Sequence, residues 1–319
     1  MRFRPLNKEP DLPNSPSKPR SEPSIFRKLI WRLETLAYDG VSVVLRLLPF
    51  GTASVFGGWL LRLIGPLSSK QKIAKTGIEI AFPKLTDTER TRILSDQWDN
   101  LGRTFAEFPL MHRIKAFAPH SRVTISGVEN LDLYHPAIFI SGHFANWEVM
   151  ATVLTQSDHT VRITYRQLNN PYMDQRIISQ RQKYGTKFLV QKSTHKGGRE
   201  LFLALKNNES IAILNDQKFN QGLSLPFFGT QAMTATGAVR LALKTGRPLL
   251  SMSVTRKGPT FHVTINPPFK LENTGNRERD VEAGVLKILD FTERYIRANP
   301  GQWFWTHRRW PKHHYKSPK

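Results

Sequence analysis

The sequence predicts an α/β protein: a mostly parallel mixed sheet flanked by helices, preceded by a membrane-associated helical segment. Two observations carry this. Beyond about residue 120, short apolar runs of strand character alternate with stretches of helical spacing, the pattern of a sheet covered on both faces. Before that point, residues 24–65 are apolar but interrupted by Arg46, Pro49, Gly51, Gly57, Gly58 and Arg62.

The chain divides into three parts. Residues 1–23 hold six prolines, mixed charges and few apolar side chains, so a disordered tail is expected, with no apolar stretch of the kind a signal peptide needs. Residues 24–65 are expected to associate with a membrane. A span needs about 20 mainly apolar residues, and Val41–Leu61 reaches that length with Arg46 inside it. A helix lying in the interface fits equally, with Trp and Leu in lipid and Arg27, Lys28 and Arg32 on anionic head groups. A buried helical hairpin is the third option. Residues 66–319 form the remaining domain.

Within that domain, a Thr/Asp start followed by Ile93, Trp98, Leu101, Phe105 and Phe108 reads as a helix. Strands are expected at 137–141, 161–165, 187–190, 211–215, 248–254 and 260–265, the last two flanking a turn at 256–259. Helices are expected at 146–154, from Asn170-Pro171 to Gly185, at 198–206, 236–244 and 277–298. Asn170 offers an N-cap and Pro171 suits the first helical position, while Gly185 and Gly246 are natural stops.

Composition limits the chemistry. There is no cysteine, which excludes disulfides, a thiolate nucleophile and thiolate-bound zinc. No G-x-S-x-G elbow, H-E-x-x-H, P-loop or G-x-G-x-x-G occurs, so no metal and no cofactor is expected. The net charge of +22 calls for an anionic partner, whether nucleic acid, membrane surface, phosphorylated substrate or acidic protein. From Arg294 to Lys319 there are seven Lys/Arg and no acid.

Open α/β sheets place their sites beyond the carboxyl ends of the strands. Three polar residues fall there: His143 after 137–141, Arg166 after 161–165 and Asp216 after 211–215. They converge if those strands are neighbours. His143 and Glu148 lie five residues apart, too far around the axis to pair within one regular helix. With His143 in the turn and Glu148 in the first turns of the helix, the carboxylate can reach back and fix the imidazole tautomer. The other ring nitrogen is then free to take a proton. Without a protein nucleophile, that proton belongs to a substrate hydroxyl, whose oxygen attacks an activated acyl group directly. Such base catalysis contributes roughly 10²–10⁴-fold, the rest coming from positioning and oxyanion stabilisation.

The stretch SGHFANWE resembles the H-x4-[DE] box of the lysophospholipid acyltransferase superfamily, and more narrowly that of the lauroyl/myristoyl acyltransferases of lipid A biosynthesis. TYRQLNNPYMDQRI, LNDQ with PFFGTQAMTATGAVRLALKTGRPLLS, and QWFWTHRRW resemble further blocks of that family, in order, over roughly residues 25–310. The resemblance implies a glycerolipid acyltransferase-like fold and a site on the cytoplasmic face of a bacterial inner membrane. It also implies acyl transfer from acyl carrier protein to a hydroxyl of a lipid A precursor without a covalent enzyme intermediate. His143 is expected as the base and Glu148 as its partner, with Arg181, Asp216 and Arg166 binding substrate; Arg176 competes with Arg181 for the matching position. Ala145 departs from the glycine common in the box.

An acidic carrier protein, a phosphorylated acceptor and an anionic membrane surface all suit the charge. The C-terminal Trp303, Trp305, Arg308, Arg309 and Trp310 are expected at the head-group boundary, and Phe227 and Phe228 as lining for an acyl chain. A lysophospholipid or another glycolipid is the alternative acceptor. A non-enzymatic basic protein binding nucleic acid or membrane is the competing class. It leaves the His box unexplained, and no RRM, zinc-finger or helix-turn-helix signature is present, so no specific nucleic acid is expected.

Overall fold

A computed structural model describes residues 23–186, 189–191 and 195–315; the expected tail, save Pro23, and the first two residues of the strand expected at 187–190 lie outside them. Two helices come first, α1 (Ile25–Leu47) and α2 (Phe50–Ile64). Ser24 caps α1 by accepting the Arg27 N–H. Pro49, extended at φ −57° and ψ 145°, separates the two helices. This break divides the expected span Val41–Leu61, and among the described residues no helix is long and apolar enough to cross a membrane.

Two further helices follow, α3 (Lys70–Ala81) and α4 (Asp87–Glu107), the latter opened by a reciprocal Thr86/Glu89 capping box. α2 lies flat on α4 because glycines face each other at the crossing. A Cβ on Gly102 would sit 2.0 Å from the Gly57 carbonyl oxygen, and one on Gly57 would sit 2.4 Å from the Ala106 Cβ. The opposite side of this pair is uncovered: Val55, Phe56, Trp59 and Leu63 of α2 and Ile25, Phe26, Leu29, Leu33 and Leu36 of α1 are exposed.

The sheet is built from β1 (Val123–Ser126), β2 (Ile138–Ser141), β3 (Val161–Tyr165), β4 (Leu189–Gln191) and β5 (Ser210–Leu214). A separate hairpin, β6 (Leu223–Phe227) and β7 (Thr230–Thr234), precedes β8 (Leu249–Lys257) and β9 (Thr260–Pro268). The seven-stranded order is β1-β9-β8-β2-β5-β3-β4, parallel except at the β8/β9 hairpin. All four residues of β2 are buried, as a central strand covered on both faces requires. The connecting helices are α5 (Asn130–Leu133), α6 (Glu148–Gln156), α7 (Pro171–Lys183), α8 (His195–Lys206), α9 (Gly237–Thr245) and α10 (Arg277–Ala298).

The mixed α/β architecture is thus the expected one, with local differences. β1 and the β6/β7 hairpin are additions; β6 carries Pro226, which masks a strand in sequence. α6 begins at Glu148, not 146, because the Asn146 side chain accepts the Glu148 N–H at 3.2 Å and closes the helix end. Arg256 stays in strand register with Phe261, so the β8/β9 turn is tighter than 256–259, with Gly258 at φ +59°.

Closure of the α2/α4 seam predicts that Gly102→Val destabilises the protein by at least about 1–3 kcal/mol, the range for overpacking. Thermal unfolding of the purified variant in detergent checks this; an unchanged midpoint would mean that the two helices separate at little cost.

Candidate active site

The registers Ser141↔Leu214 and Ile163↔Ala212 bring the carboxyl ends of β2, β5 and β3 side by side. His143, Asp216 and Arg166 therefore meet at one edge of the sheet. The chain leaves β2 through Gly142, where any Cβ would lie 2.6 Å from the Phe144 ring. It then passes through Ala145 at φ +41°, left-handed backbone that glycine adopts without penalty. The loop is held by Ala145 N–H to the Gln302 carbonyl (2.7 Å) and by Asn100 and Thr104 donating to the Ala145 carbonyl.

Asp216 takes three donors. Its Oδ2 accepts the His143 backbone N–H (2.8 Å) and the Trp303 indole N–H (2.9 Å), and its Oδ1 faces His143 Nδ1 at 2.8 Å. The carboxylate side chain is 2% exposed. Burial alone would raise its pKa; the imidazole charge and these hydrogen bonds outweigh burial and hold it well below the usual carboxylate range. An ionised Asp216 forces the hydrogen of neutral His143 onto Nδ1 and leaves the Nε2 lone pair toward the cleft, with Gln217 Nε2 3.4 Å away.

Glu148 does not reach the imidazole, which corrects the expected His143–Glu148 pair. The Glu148 carboxylate receives Arg181 through Nε (3.2 Å) and Nη2 (2.6 Å), the Trp147 indole N–H (3.1 Å) and the Tyr184 hydroxyl. Burial opposes its ionisation, and Arg181 more than offsets that, so the carboxyl pKa is lowered. The same carboxylate, together with burial, pushes the Tyr184 phenol well above its ordinary value. Of the two candidate arginines, Arg176 pairs with Asp39 of α1 on the surface, whereas Arg181 lines the cleft.

That cleft holds about 720 Å³, with His143, Trp147, Arg166, Arg181, Phe304 and His307 on its wall and Tyr38, Phe105 and Leu168 toward the N-terminal helices. A narrow apolar slot of about 60 Å³ adjoins it behind Trp147 and Glu148, between Ile140, Met150, Leu154 and Ile213. Phe227 and Phe228 line neither. They are buried against Phe82, Trp303 and Trp310, with the Arg309 guanidinium over the Phe227 ring. The C-terminal block is likewise interior: Trp303, Trp305, Arg309 and Trp310 are buried, and Arg308 alone of the five is exposed. Arg309 donates through Nη1 to the Met233 carbonyl and through Nη2 to Thr234 Oγ1 rather than to head groups, while its buried Nε finds no partner among the described residues.

The support beneath the loop has no local signature in the sequence. Glu107 of α4 is fully buried and pairs with Arg256 of β8, and it also accepts from Ser54 of α2 and Asn146. Arg256 further donates to Asn100. Among the described residues no cluster suited to a metal ion is found.

The profile of the bacterial lipid A biosynthesis acyltransferases matches residues 25–312. The chain belongs to this family. Relatives include the lipid A biosynthesis palmitoleoyltransferase of Escherichia coli strain K12, 25% identical over 76% of this chain and 79% of that protein. The lauroyltransferase of the same organism is 24% identical over the same shares. A lipid A biosynthesis acyltransferase of Haemophilus influenzae is 23% identical over 79% of this chain and 81% of that protein. Membership makes the protein an acyltransferase of lipid A biosynthesis.

One cleft residue of this lipid A acyltransferase was not singled out from sequence. His307 accepts the Lys218 backbone N–H on Nε2 at 3.2 Å. Burial, opposed by Asp216 and reinforced by His143, Arg309 and Arg166, pushes its pKa down to about 4. Between pH 6.5 and 4 the unfolded chain binds a proton that the native state refuses, so stability falls as pH falls through that window. The loss approaches about 3 kcal/mol at the lower end. His307→Gln is expected to flatten this slope, measured as denaturant midpoints from pH 7 to 4; parallel curves for the two proteins would place the proton elsewhere.

Proposed function

We propose that the protein transfers a fatty acyl chain from acyl carrier protein to a hydroxyl of a lipid A precursor, with His143 as general base and Asp216 as the carboxylate that orients it. The reading is carried by the His143–Asp216 pair, whose outer ring nitrogen, Nε2, meets Gln217 Nε2 at 3.4 Å on the wall of a cleft bordered by apolar helices. The acceptor hydroxyl gives its proton to Nε2 as its oxygen attacks the thioester carbonyl. The tetrahedral intermediate collapses, the carbon–sulfur bond breaks, and the imidazolium protonates the leaving thiolate. Asp216 stabilises the imidazolium throughout. Glu148 acts one step removed, holding Arg181 against the cleft, where its guanidinium and the exposed Arg166 meet the anionic groups of donor or acceptor.

The start of the acyl chain enters the slot behind Trp147. The exposed apolar faces of α1 and α2, with Arg27, Lys28 and Arg32 beside them, rest on an anionic bilayer at the cytoplasmic face of the inner membrane. The cleft then opens where its lipid acceptor resides.

Purified protein in detergent, an acyl carrier protein charged with chains of different length, and a tetra-acylated lipid A precursor test the reaction, with the product read by mass spectrometry. Wild type adds one chain. His143→Ala abolishes transfer, and Asp216→Asn, which removes the charge that stabilises the imidazolium, lowers it by roughly 10²–10⁴-fold. Transfer by His143→Ala at the wild-type rate would overturn the mechanism. Transfer by wild type to lysophospholipid alone would replace the acceptor.

Trp59→Glu with Leu63→Glu places two charges on the exposed face of α2. Sedimentation with anionic vesicles is expected to show binding weakened at least about tenfold, since each large apolar side chain contributes about 1.5–3 kcal/mol when buried. Unchanged sedimentation would move the membrane contact off this face.

A further inference from the structure

The family reaction requires a developing negative charge on the acyl carbonyl oxygen, and the groups assigned so far leave it unaccounted for. Arg181 and Arg166 are assigned to the anionic groups of donor or acceptor, and His143 is occupied with the acceptor proton. The other imidazole on the cleft wall is His307. A backbone N–H can only donate, so the Lys218 N–H at 3.2 Å requires a lone pair on His307 Nε2. The hydrogen of the neutral ring is therefore on Nδ1. No hydrogen bond among the described residues occupies Nδ1, and it is not among the buried polar atoms sealed away from solvent. The ring lines the same cleft as His143 Nε2, Gln217 and Phe304.

We infer that His307 is a catalytic residue whose Nδ1–H donates a hydrogen bond to the carbonyl oxygen of the acyl thioester and to the oxyanion that forms there. No proton is transferred by this residue. The oxygen–carbon bond forms, the carbon–sulfur bond breaks, and the hydroxyl proton travels by His143 to the sulfur, while His307 remains neutral. A neutral donor has an advantage over a cation here. It binds the ground-state carbonyl weakly, and its hydrogen bond strengthens only as charge develops. The surroundings keep it neutral: burial weighs most, and the charges of Arg309 and Arg166 add to it against Asp216, which favours the imidazolium.

The inference rests on the acyl-transfer reading, and two variants separate it from a structural role. His307→Gln can still accept the Lys218 N–H but removes the donor at Nδ1. His307→Asn keeps a donor at the Nδ1 position and loses the Lys218 bond. Both are assayed for kcat and KM with acyl carrier protein donor and lipid A precursor, alongside wild type. Loss of one oxyanion donor costs about 10²–10³-fold in kcat. The expected result is that loss for His307→Gln, with KM of both substrates within about threefold of wild type, and a smaller loss for His307→Asn. The opposite order, with Gln more active than Asn, would assign His307 to holding the Lys218 loop and overturn the inference. Equal activity of both variants and wild type would overturn it as well. A wild type inactive with every acyl donor would instead sink the underlying reaction. Nitrogen-15 spectra of histidine-labelled protein supply an independent readout: a ring protonated on Nδ1 from pH 8 to pH 5 is expected, and a ring protonated on Nε2 would overturn the assignment.

Discussion

A single buried carboxylate organises this molecule. Asp216 leaves β5 and receives the main chain of the His143 turn, the His143 ring and the Trp303 indole. The three donors come from chain segments up to 87 residues apart. A buried anion is costly unless fully hydrogen-bonded, so the carboxylate enforces the arrangement that satisfies it. The turn after β2, the end of β5 and the segment after α10 are thereby fixed to one another. The Phe144–Trp303 bridge and the Ala145–Gln302 hydrogen bond close the same junction from the backbone side. The C-terminal tryptophans and Arg309 are interior for this reason. They form the wall against which the imidazole turn is packed, and their aromatic surface is consumed there.

Beneath the turn lies a second buried charge pair, Glu107 with Arg256, whose carboxylate also accepts from Ser54 and Asn146. It links the apolar N-terminal helices to the imidazole turn through α4. The Gly57–Gly102 approach sets how closely α2 can lie, and Ser54 one turn earlier reaches Glu107 only at that distance. The helices that expose apolar surface and the imidazole turn are therefore joined through one buried hydrogen-bonded carboxylate.

The alternation of strands and helices was legible because β2, β3 and β5 carry contiguous apolar or period-two patterns, and the convergence of His143, Arg166 and Asp216 followed from strand ends alone. Which carboxylate would face the imidazole was not legible. Glu148 is five residues from His143 and Asp216 is 73, and local spacing naturally favours the nearer one. Sequence carries no direct record of the Arg181 and Tyr184 side chains that saturate Glu148. The Glu107–Arg256 pair, 149 residues apart, left no signal either. The break in the apolar segment was written in Pro49, whose extended backbone outweighs a hydropathy count. The interior place of Trp303, Trp305 and Trp310 was hidden because basic and aromatic residues together read as an interfacial composition, while their indole N–H groups find buried oxygen partners.

The two acids of the site differ in the group each faces, a guanidinium for Glu148 and an imidazole for Asp216. Glu148 is bound by a guanidinium, which never gives up its proton under physiological conditions; the pair is a permanent, neutral strut. A carboxylate held in this way cannot respond to a change of charge on a neighbour. Asp216 is bound by an imidazole, which changes charge by one unit when it takes a proton. Its interaction strengthens at that moment, and the burial of Asp216 limits how far water screens it. Only this second arrangement couples a carboxylate to proton transfer. The short spacing from His143 to Glu148 therefore records how the turn and helix are built: Glu148, at the first turn of α6, anchors Arg181 of α7 beside the cleft, while the longer connection to β5 supplies the electrostatic partner.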